Sequence, residues 1–178
     1  MTKPFFTVGH STRSLAEFVG LLEASRVTLV VDVRKLPGST KFPHFNQDSL
    51  GDALRHEGIE YRRAAQLTGR RGVSKDVPFD VNAWWENRSF HNYADHALTD
   101  EFARGLRDLR NWGSGQRLAV MCSEAVWWRC HRRIIADHLL AHGDDVRHIL
   151  GVEHVDAAQF TSGAVVGERS AVTYPALS

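Results

Sequence analysis

Residues 117–122 read Arg-Leu-Ala-Val-Met-Cys, and residues 123–132 continue Ser-Glu-Ala-Val-Trp-Trp-Arg-Cys-His-Arg. The first run is apolar without the alternation of a half-exposed strand, which marks a parallel strand covered on both faces. It breaks into a polar loop, after which Ile134, Ile135, Leu139 and Leu140 recur at helical spacing until Gly143 ends the pattern. Strand, charged loop and helix in that order make half of a βαβ unit. Its ionisable residues sit where such folds bind ligands, beyond the carboxyl end of the strand.

The same grammar extends along the chain. Phe5–Gly9, Thr28–Val33 and Val146–Leu150 are further buried-strand runs, and Ile59–Arg62 is a weaker one. Ser14-Leu15-Ala16-Glu17 has capping-box spacing, and Leu15, Phe18, Val19 and Leu22 form the stripe of the helix it opens. Asn46–Glu57 carries Leu50, Ala53 and Leu54 before Gly58, and Thr99–Trp112 carries Phe102, Leu106 and Leu109. The alternation predicts an α/β fold, a three-layer sandwich around a mainly parallel sheet of about five strands. Residues 1–178 read as a single domain. Two stretches depart from the pattern. Residues 67–96 hold Gly69, Arg70, Arg71, Gly72, Pro78, Trp84, Trp85 and Tyr93 with little period, and are expected to form an irregular lid or insert. The tail after residue 151 is rich in small residues and is expected to pack loosely.

The formal charge of +1 disfavours a polyanionic partner held by bulk charge alone, although only Lys3, Lys35, Lys41 and Lys75 among the 22 basic residues are lysines. Arginine suits bidentate grip on phosphate or carboxylate, and a GC-rich genome accounts for arginine equally well. Two cysteines, Cys122 and Cys130, are too few for a disulfide scaffold, so a reducing, cytoplasmic setting is expected. Met1 to Phe6 lack a signal-peptide pattern, and no run approaches the roughly 18 apolar residues of a membrane span.

Polar residues gather after each predicted strand: His10, Ser11 and Thr12; Asp32 and Arg34, then Pro37-Gly38-Ser39; and Cys122-Ser123-Glu124. Cys122, with Arg129, His131 and Arg132 nearby, has the surroundings that lower a thiol pKa for nucleophilic catalysis. A buried inert cysteine is the plain alternative, and Glu124 would oppose thiolate formation. Six residues separate Cys122 from Arg129, one more than in cysteine phosphatases, and no glycine shapes the loop as a phosphate cradle. Zinc on Cys122, Cys130 and His131, completed by His10 or Glu124, lacks ligand spacing, so no metal is expected. A Ser11–His10–Asp32 triad fails because adjacent side chains on an extended segment point apart, and no GxSxG elbow is present. Asp32 and Arg34 read equally as ligand binders or as a mutual brace. Trp84, Trp85, Trp127 and Trp128 among Arg70, Arg71, Arg88 and Arg129 offer stacking and phosphate grip for a nucleic acid.

Several of these pieces together resemble the family known as domain of unknown function 488. They are Thr7-Val8-Gly9-His10-Ser11-Thr12, Val31-Asp32-Val33-Arg34 with Pro37-Gly38-Ser39, Phe90 to Tyr93, and Met121-Cys122-Ser123-Glu124 with Arg129-Cys130-His131-Arg132. The resemblance spans residue 7 to about residue 150 and implies an α/β fold and a small intracellular bacterial protein. It carries no settled activity, and some relatives bear loose DNA-repair labels. Ser123 stands where that family usually has alanine. Asp32-Val33-Arg34 also echoes rhodanese domains, whose loop pattern the Trp127-Trp128 insert breaks.

Three functions are therefore expected in this order. The first is an enzyme or ligand-binding protein for a small anionic or nucleotide-like molecule. Cys122, Glu124, His131 and His10 would supply its chemistry, and Ser11, Asp32, Arg34, Arg129, Arg132 and Tyr93 would bind. The second is nucleic-acid binding or processing through the Arg/Trp loop, and the third is a non-catalytic partner-binding module. No cofactor or oligomeric state is assigned.

Overall fold

The computed structural model describes residues 3–38 and 40–177. Ser39, expected in the loop after the second strand, lies outside the described residues, as do Met1 and Thr2 of the N-terminal stretch.

The apolar runs form one sheet from β1 (Phe5–Gly9), β2 (Leu29–Asp32), β3 (Glu60–Arg63), β4 (Leu118–Cys122), β5 (Val146–Gly151) and β6 (His154–Ala157), in the order β3-β2-β4-β1-β5-β6. All neighbours pair in parallel except β6, which runs antiparallel to β5. Five helices accompany it: α1 (Leu15–Ala24), α2 (Gln47–His56), α3 (Arg88–His96), α4 (Asp100–Gly113) and α5 (Arg132–Ala141). The capping box of α1 forms as its sequence predicts. The Glu17 amide donates to Ser14 Oγ at 3.1 Å, and the Ser14 amide donates back to Glu17 Oε1 at 2.9 Å.

Strand pleating divides the core into two layers. Phe6, Val8, Val30, Ala119 and Met121 meet Phe18 and Leu22 of α1 and Leu50 and Leu54 of α2. On the other face Phe5, Leu29, Val31, Leu118, Val120 and Cys122 meet Phe102, Leu106 and Leu109 of α4 and Ile134, Ile135 and Leu139 of α5. Cys122 thus leaves β4 on the face that α5 covers. Among the described residues, no helix is long and apolar enough to cross a membrane.

Two expectations need correction. The stretch 67–96 is not irregular throughout, because α3 occupies its last third. Asn87 caps that helix, accepting from the Ser89 and Phe90 amides at 2.9 and 3.2 Å. Its apolar face is Phe90, Tyr93, Ala94 and Ala97, an i, i+3, i+4, i+7 pattern hidden in the sequence by the buried polar residues His91, Asp95 and His96. Nor is the tail loose. After β6 it forms a ribbon of β7 (Val165–Val166) and β8 (Val172–Thr173), and it buries Thr161, Val172 and Tyr174. Tyr174 is the anchor. Its hydroxyl donates to Asp137 Oδ2 at 2.6 Å, its amide to Asn82 Oδ1 at 3.0 Å, and its carbonyl accepts from the Trp84 amide at 2.9 Å. The tail therefore ties α5 to the insert, through hydrogen bonds that leave no periodic trace in the sequence.

Removing the Tyr174 hydroxyl strands a buried carboxylate oxygen, so Tyr174→Phe is expected to cost about 1–3 kcal/mol of stability. Tyr174→Ala adds a cavity and is expected to cost about 3–5 kcal/mol, as for other buried aromatics. Urea denaturation monitored by far-UV circular dichroism measures both.

Candidate active site

The carboxyl ends of β1, β2 and β4 open on a cavity of about 690 Å³. Parallel pairing continues past the strand ends and holds the three loops together. His10 N donates to Cys122 O at 3.0 Å, Ser11 N to Ser123 O at 2.9 Å, and Val33 N to Met121 O at 3.0 Å. Gly9 makes this approach feasible, since a Cβ there would stand 1.7 Å from the Glu124 carbonyl oxygen. His10 and Ser11 line the cavity from β1, Arg34 and Lys35 from β2, and Cys122, Ser123 and Glu124 from β4. The loop into α5 adds Arg129, Cys130 and His131, and the insert adds Gly69, Arg70 and Tyr93. Two non-glycine residues at the rim, Ser11 and Arg70, hold left-handed backbone with φ of 51° and 57°.

Beneath the cavity lies Arg132, whose side chain is 0% exposed. Its Nη1 donates to the Cys122 sulfur at 2.8 Å and to the Glu124 carbonyl at 2.8 Å, and Nη2 donates to the Ala125 carbonyl at 3.2 Å. Nε is buried without a hydrogen-bond partner among the described residues. A buried guanidinium demands a compensating negative charge, yet among the described residues no carboxylate reaches it within ion-pair distance. The group in contact that can ionise is the Cys122 thiol.

The second cysteine assists. Cys130 donates to the Cys122 sulfur at 2.8 Å and itself accepts from the Arg132 amide at 3.4 Å, at the start of α5. Burial pushes the Cys122 thiol up, but the Cys130 hydrogen bond and the Arg132 charge outweigh it and hold the pKa at about 7. Burial and the adjacent Cys122 sulfur push Cys130 well above the ordinary thiol value. The pair is thus divided into a ready thiolate and a protonated donor. Glu124, expected to oppose the thiolate, contributes its backbone carbonyl to Arg132 while its side chain faces solvent.

The histidines are neutral. His131 donates through Nε2 to the Val33 carbonyl at 3.2 Å, which leaves Nδ1 as a lone pair 3.7 Å from the Cys130 sulfur. Burial lowers its pKa to about 4. His10 stacks on Phe45, donates through Nδ1 to its neighbour's carbonyl (Ser11, 2.9 Å), and accepts from Arg34 Nη1 at 3.3 Å through Nε2. Its pKa also falls to about 4, chiefly through burial. Arg34 is gripped by Asp32, with Nε to Oδ1 at 3.0 Å and Nη2 to Oδ2 at 2.7 Å, while the Tyr61 hydroxyl donates to Asp32 as well.

A family model described as a domain of unknown function, DUF488, matches residues 14–139. The chain belongs to the DUF488 family. No match is found among curated proteins or among solved structures. The matched segment contains the arms of the site that come from β2, the insert and β4.

Within this DUF488 chain the structure brings together His10, Ser11, Arg34, Tyr93, Cys122, Glu124, Arg129 and His131 around the cavity, but it does not place Asp32 or Arg132 there. Those two expected ligand-binding roles are corrected. Asp32 is fully buried as the brace of Arg34, and Arg132 grips the thiol rather than a ligand. Tyr93 presents only its ring, because its hydroxyl donates to the Leu67 carbonyl at 2.7 Å. The sequence gives little sign of three features of the site. It offers Cys130 as a zinc ligand and not as a partner of Cys122. Lys35 sits at the rim unpaired with any carboxylate among the described residues, as does Arg70, which the sequence offers only for nucleic-acid grip. Gly69 stands where a Cβ would fall 2.8 Å from His131 Nδ1. Only Gly69-Arg70 carries a local signal, a glycine beside a charge inside an otherwise aperiodic stretch.

Alkylation of Cys122 by iodoacetamide, followed by peptide mass spectrometry, is expected to accelerate with rising pH about a midpoint of about 7, because the thiolate is the reacting form. Arg132→Met removes the facing charge and is expected to raise that midpoint by about 1–3 pH units. Arg132→Lys retains the charge and moves it less, and thermal melts run in parallel separate this from unfolding.

Proposed function

We propose that the protein is a cysteine-dependent enzyme acting on a small anionic or nucleotide-like molecule at the β1–β2–β4 rim. The observation that carries this reading is the fully buried Arg132 guanidinium with the Cys122 sulfur 2.8 Å away as its counter-charge. A structural cysteine needs no such neighbour. A nucleophilic one does, because the thiolate is the attacking form and burial alone would suppress it.

The chemistry follows from the positions. The Cys122 thiolate attacks an electrophilic centre of the substrate, an S–substrate bond forms, and the leaving group departs with a proton from solvent. Water admitted through the open mouth then cleaves that bond, gives its proton to solvent, restores the thiolate and releases the second product. Lys35, Arg70 and Arg129, none ion-paired among the described residues, hold the anionic part of the substrate at the mouth. His10 has both ring nitrogens engaged, so in this scheme it aims Arg34 and does not shuttle protons. His131, neutral near pH 7, keeps its Nδ1 lone pair toward Cys130.

The nucleic-acid alternative draws less support. Trp85 stacks on Phe90 with centroids 4.8 Å apart and also packs on Tyr174, Trp84 packs edge-on against Trp85, and Trp127 stacks on His148 at 4.6 Å. Arg133 covers both Trp85 and Trp127. Of the four, only Trp128 exposes a large part of its surface.

Inorganic phosphate and adenosine monophosphate are expected to protect Cys122 from iodoacetamide, and Arg129→Ala with Arg70→Ala to weaken that protection by about tenfold or more, as loss of charge-assisted contacts requires. The measurement is alkylation rate against anion concentration. Equal protection of the wild type and the double variant would remove the anion-binding assignment. Salt-sensitive binding of single-stranded DNA with no protection of Cys122 would favour the alternative.

A further inference from the structure

Cys130 has no covalent part in the cycle above, yet its sulfur and that of Cys122 lie 2.8 Å apart at the cavity floor, and both residues line the cavity. We propose that the site is also a two-cysteine redox centre, in which a small hydroperoxide oxidises Cys122 and Cys130 converts the product to an intramolecular disulfide. This inference rests on the reading of Cys122 as a thiolate nucleophile.

Geometry supplies what the second step needs. A disulfide bond measures about 2.05 Å, so the sulfurs must close by less than an ångström from their 2.8 Å separation. Cys122 is fixed at the end of β4, whereas Cys130 follows the single turn Trp127–Arg129, in a loop whose Ser123, Glu124, Trp128 and Arg129 are solvent-exposed. Cys130 thus lies outside the hydrogen-bond ladder of the sheet, and its sulfur is the one with less backbone constraint against closing the gap. Cys130 also has a neutral imidazole ring beside it. His131 commits its Nε2 proton to the Val33 carbonyl, so the Nδ1 lone pair faces the Cys130 sulfur at 3.7 Å. Gly69 leaves the room in which that ring packs. A cysteine serving only to fill the core would not need the second sulfur.

The steps balance as follows. The Cys122 thiolate attacks the distal oxygen of the hydroperoxide. The O–O bond breaks, Cys122 becomes a sulfenic acid, and the departing alkoxide or hydroxide takes a proton from water. Cys130 then attacks the sulfenic sulfur as its proton passes to the departing oxygen. The S–S bond forms, the S–O bond breaks, and water leaves. Each turn consumes two thiols and one hydroperoxide, and yields one disulfide, one alcohol (or water) and one water. An external dithiol restores the pair.

The test treats the full-length protein with stoichiometric hydrogen peroxide, then alkylates and maps peptides by mass spectrometry. The wild type is expected to yield a Cys122–Cys130 cross-linked peptide that dithiothreitol reverses. Cys130→Ser is expected to accumulate a dimedone-reactive sulfenic acid at Cys122, and then sulfinic acid, with no cross-link. A wild type whose Cys122 reacts with iodoacetamide, yet passes to sulfinic acid under peroxide with Cys130 still free, overturns the redox centre and leaves the nucleophile intact. A wild type whose Cys122 resists both reagents overturns both.

Discussion

A single positive charge sealed beneath the sheet organises this molecule. Arg132 opens helix α5, points back under β4 and spends its guanidinium on one sulfur and two backbone carbonyls. Withdrawing such a charge from water carries a desolvation cost of several kcal/mol, which hydrogen bonds to neutral carbonyls offset only in part. The Cys122 thiol, its pKa held down at about 7, is the ionisable group in contact with it. The same bonds stitch the loop after β4 to the strand it leaves, so the shape of the loop and the ionisation of the thiol share one cause. A carboxylate in this position would have made a structural ion pair. A thiol makes a reactive one.

The order of strands explains why residues so distant in sequence meet here. The chain lays β1 and β2 two places apart and later inserts β4 between them, so the loops after all three end side by side. Extended pairing from His10 and Val33 to the β4 end fixes the loops in register. The insert closes the open side, with Gly69 and the Tyr93 ring against His131. The tail in turn holds insert and α5 together through Tyr174. Each layer is needed to hold the next.

Much of this was legible in the chain. Strands covered on both faces read as unbroken apolar runs, and every strand expected from such runs is present within two residues of its predicted ends, as are the capping box of α1 and the terminating Gly58 and Gly143. The rule that ligands bind past the carboxyl ends of parallel strands located the rim, and the Cys122–Arg132 segment lies there. What stayed hidden depends on distance through space rather than along the chain. The division of labour between two arginines is one case. Arg129 faces the cavity and Arg132 contacts the sulfur, with extended backbone at Cys130 separating the turn Trp127–Arg129 from helix α5. Helix α3 escaped because its buried face is shared with histidine and aspartate that find partners only in the folded state, such as Asn82 donating to Asp95 at 2.7 Å. Tyr174 escaped because one residue's hydrogen bonds make no pattern.

Lys35, Arg70 and Arg129, without carboxylate partners among the described residues, line the same cavity as the sulfur that Arg132 contacts. Any anion they draw in arrives beside another negative centre. Thermodynamic reciprocity then ties guest and proton together: an occupant that disfavours the ionised sulfur must itself bind more tightly once the sulfur has taken up a proton. Acidification would therefore strengthen retention of such a guest. A pocket built this way couples its grip on an anion to the proton on its own floor.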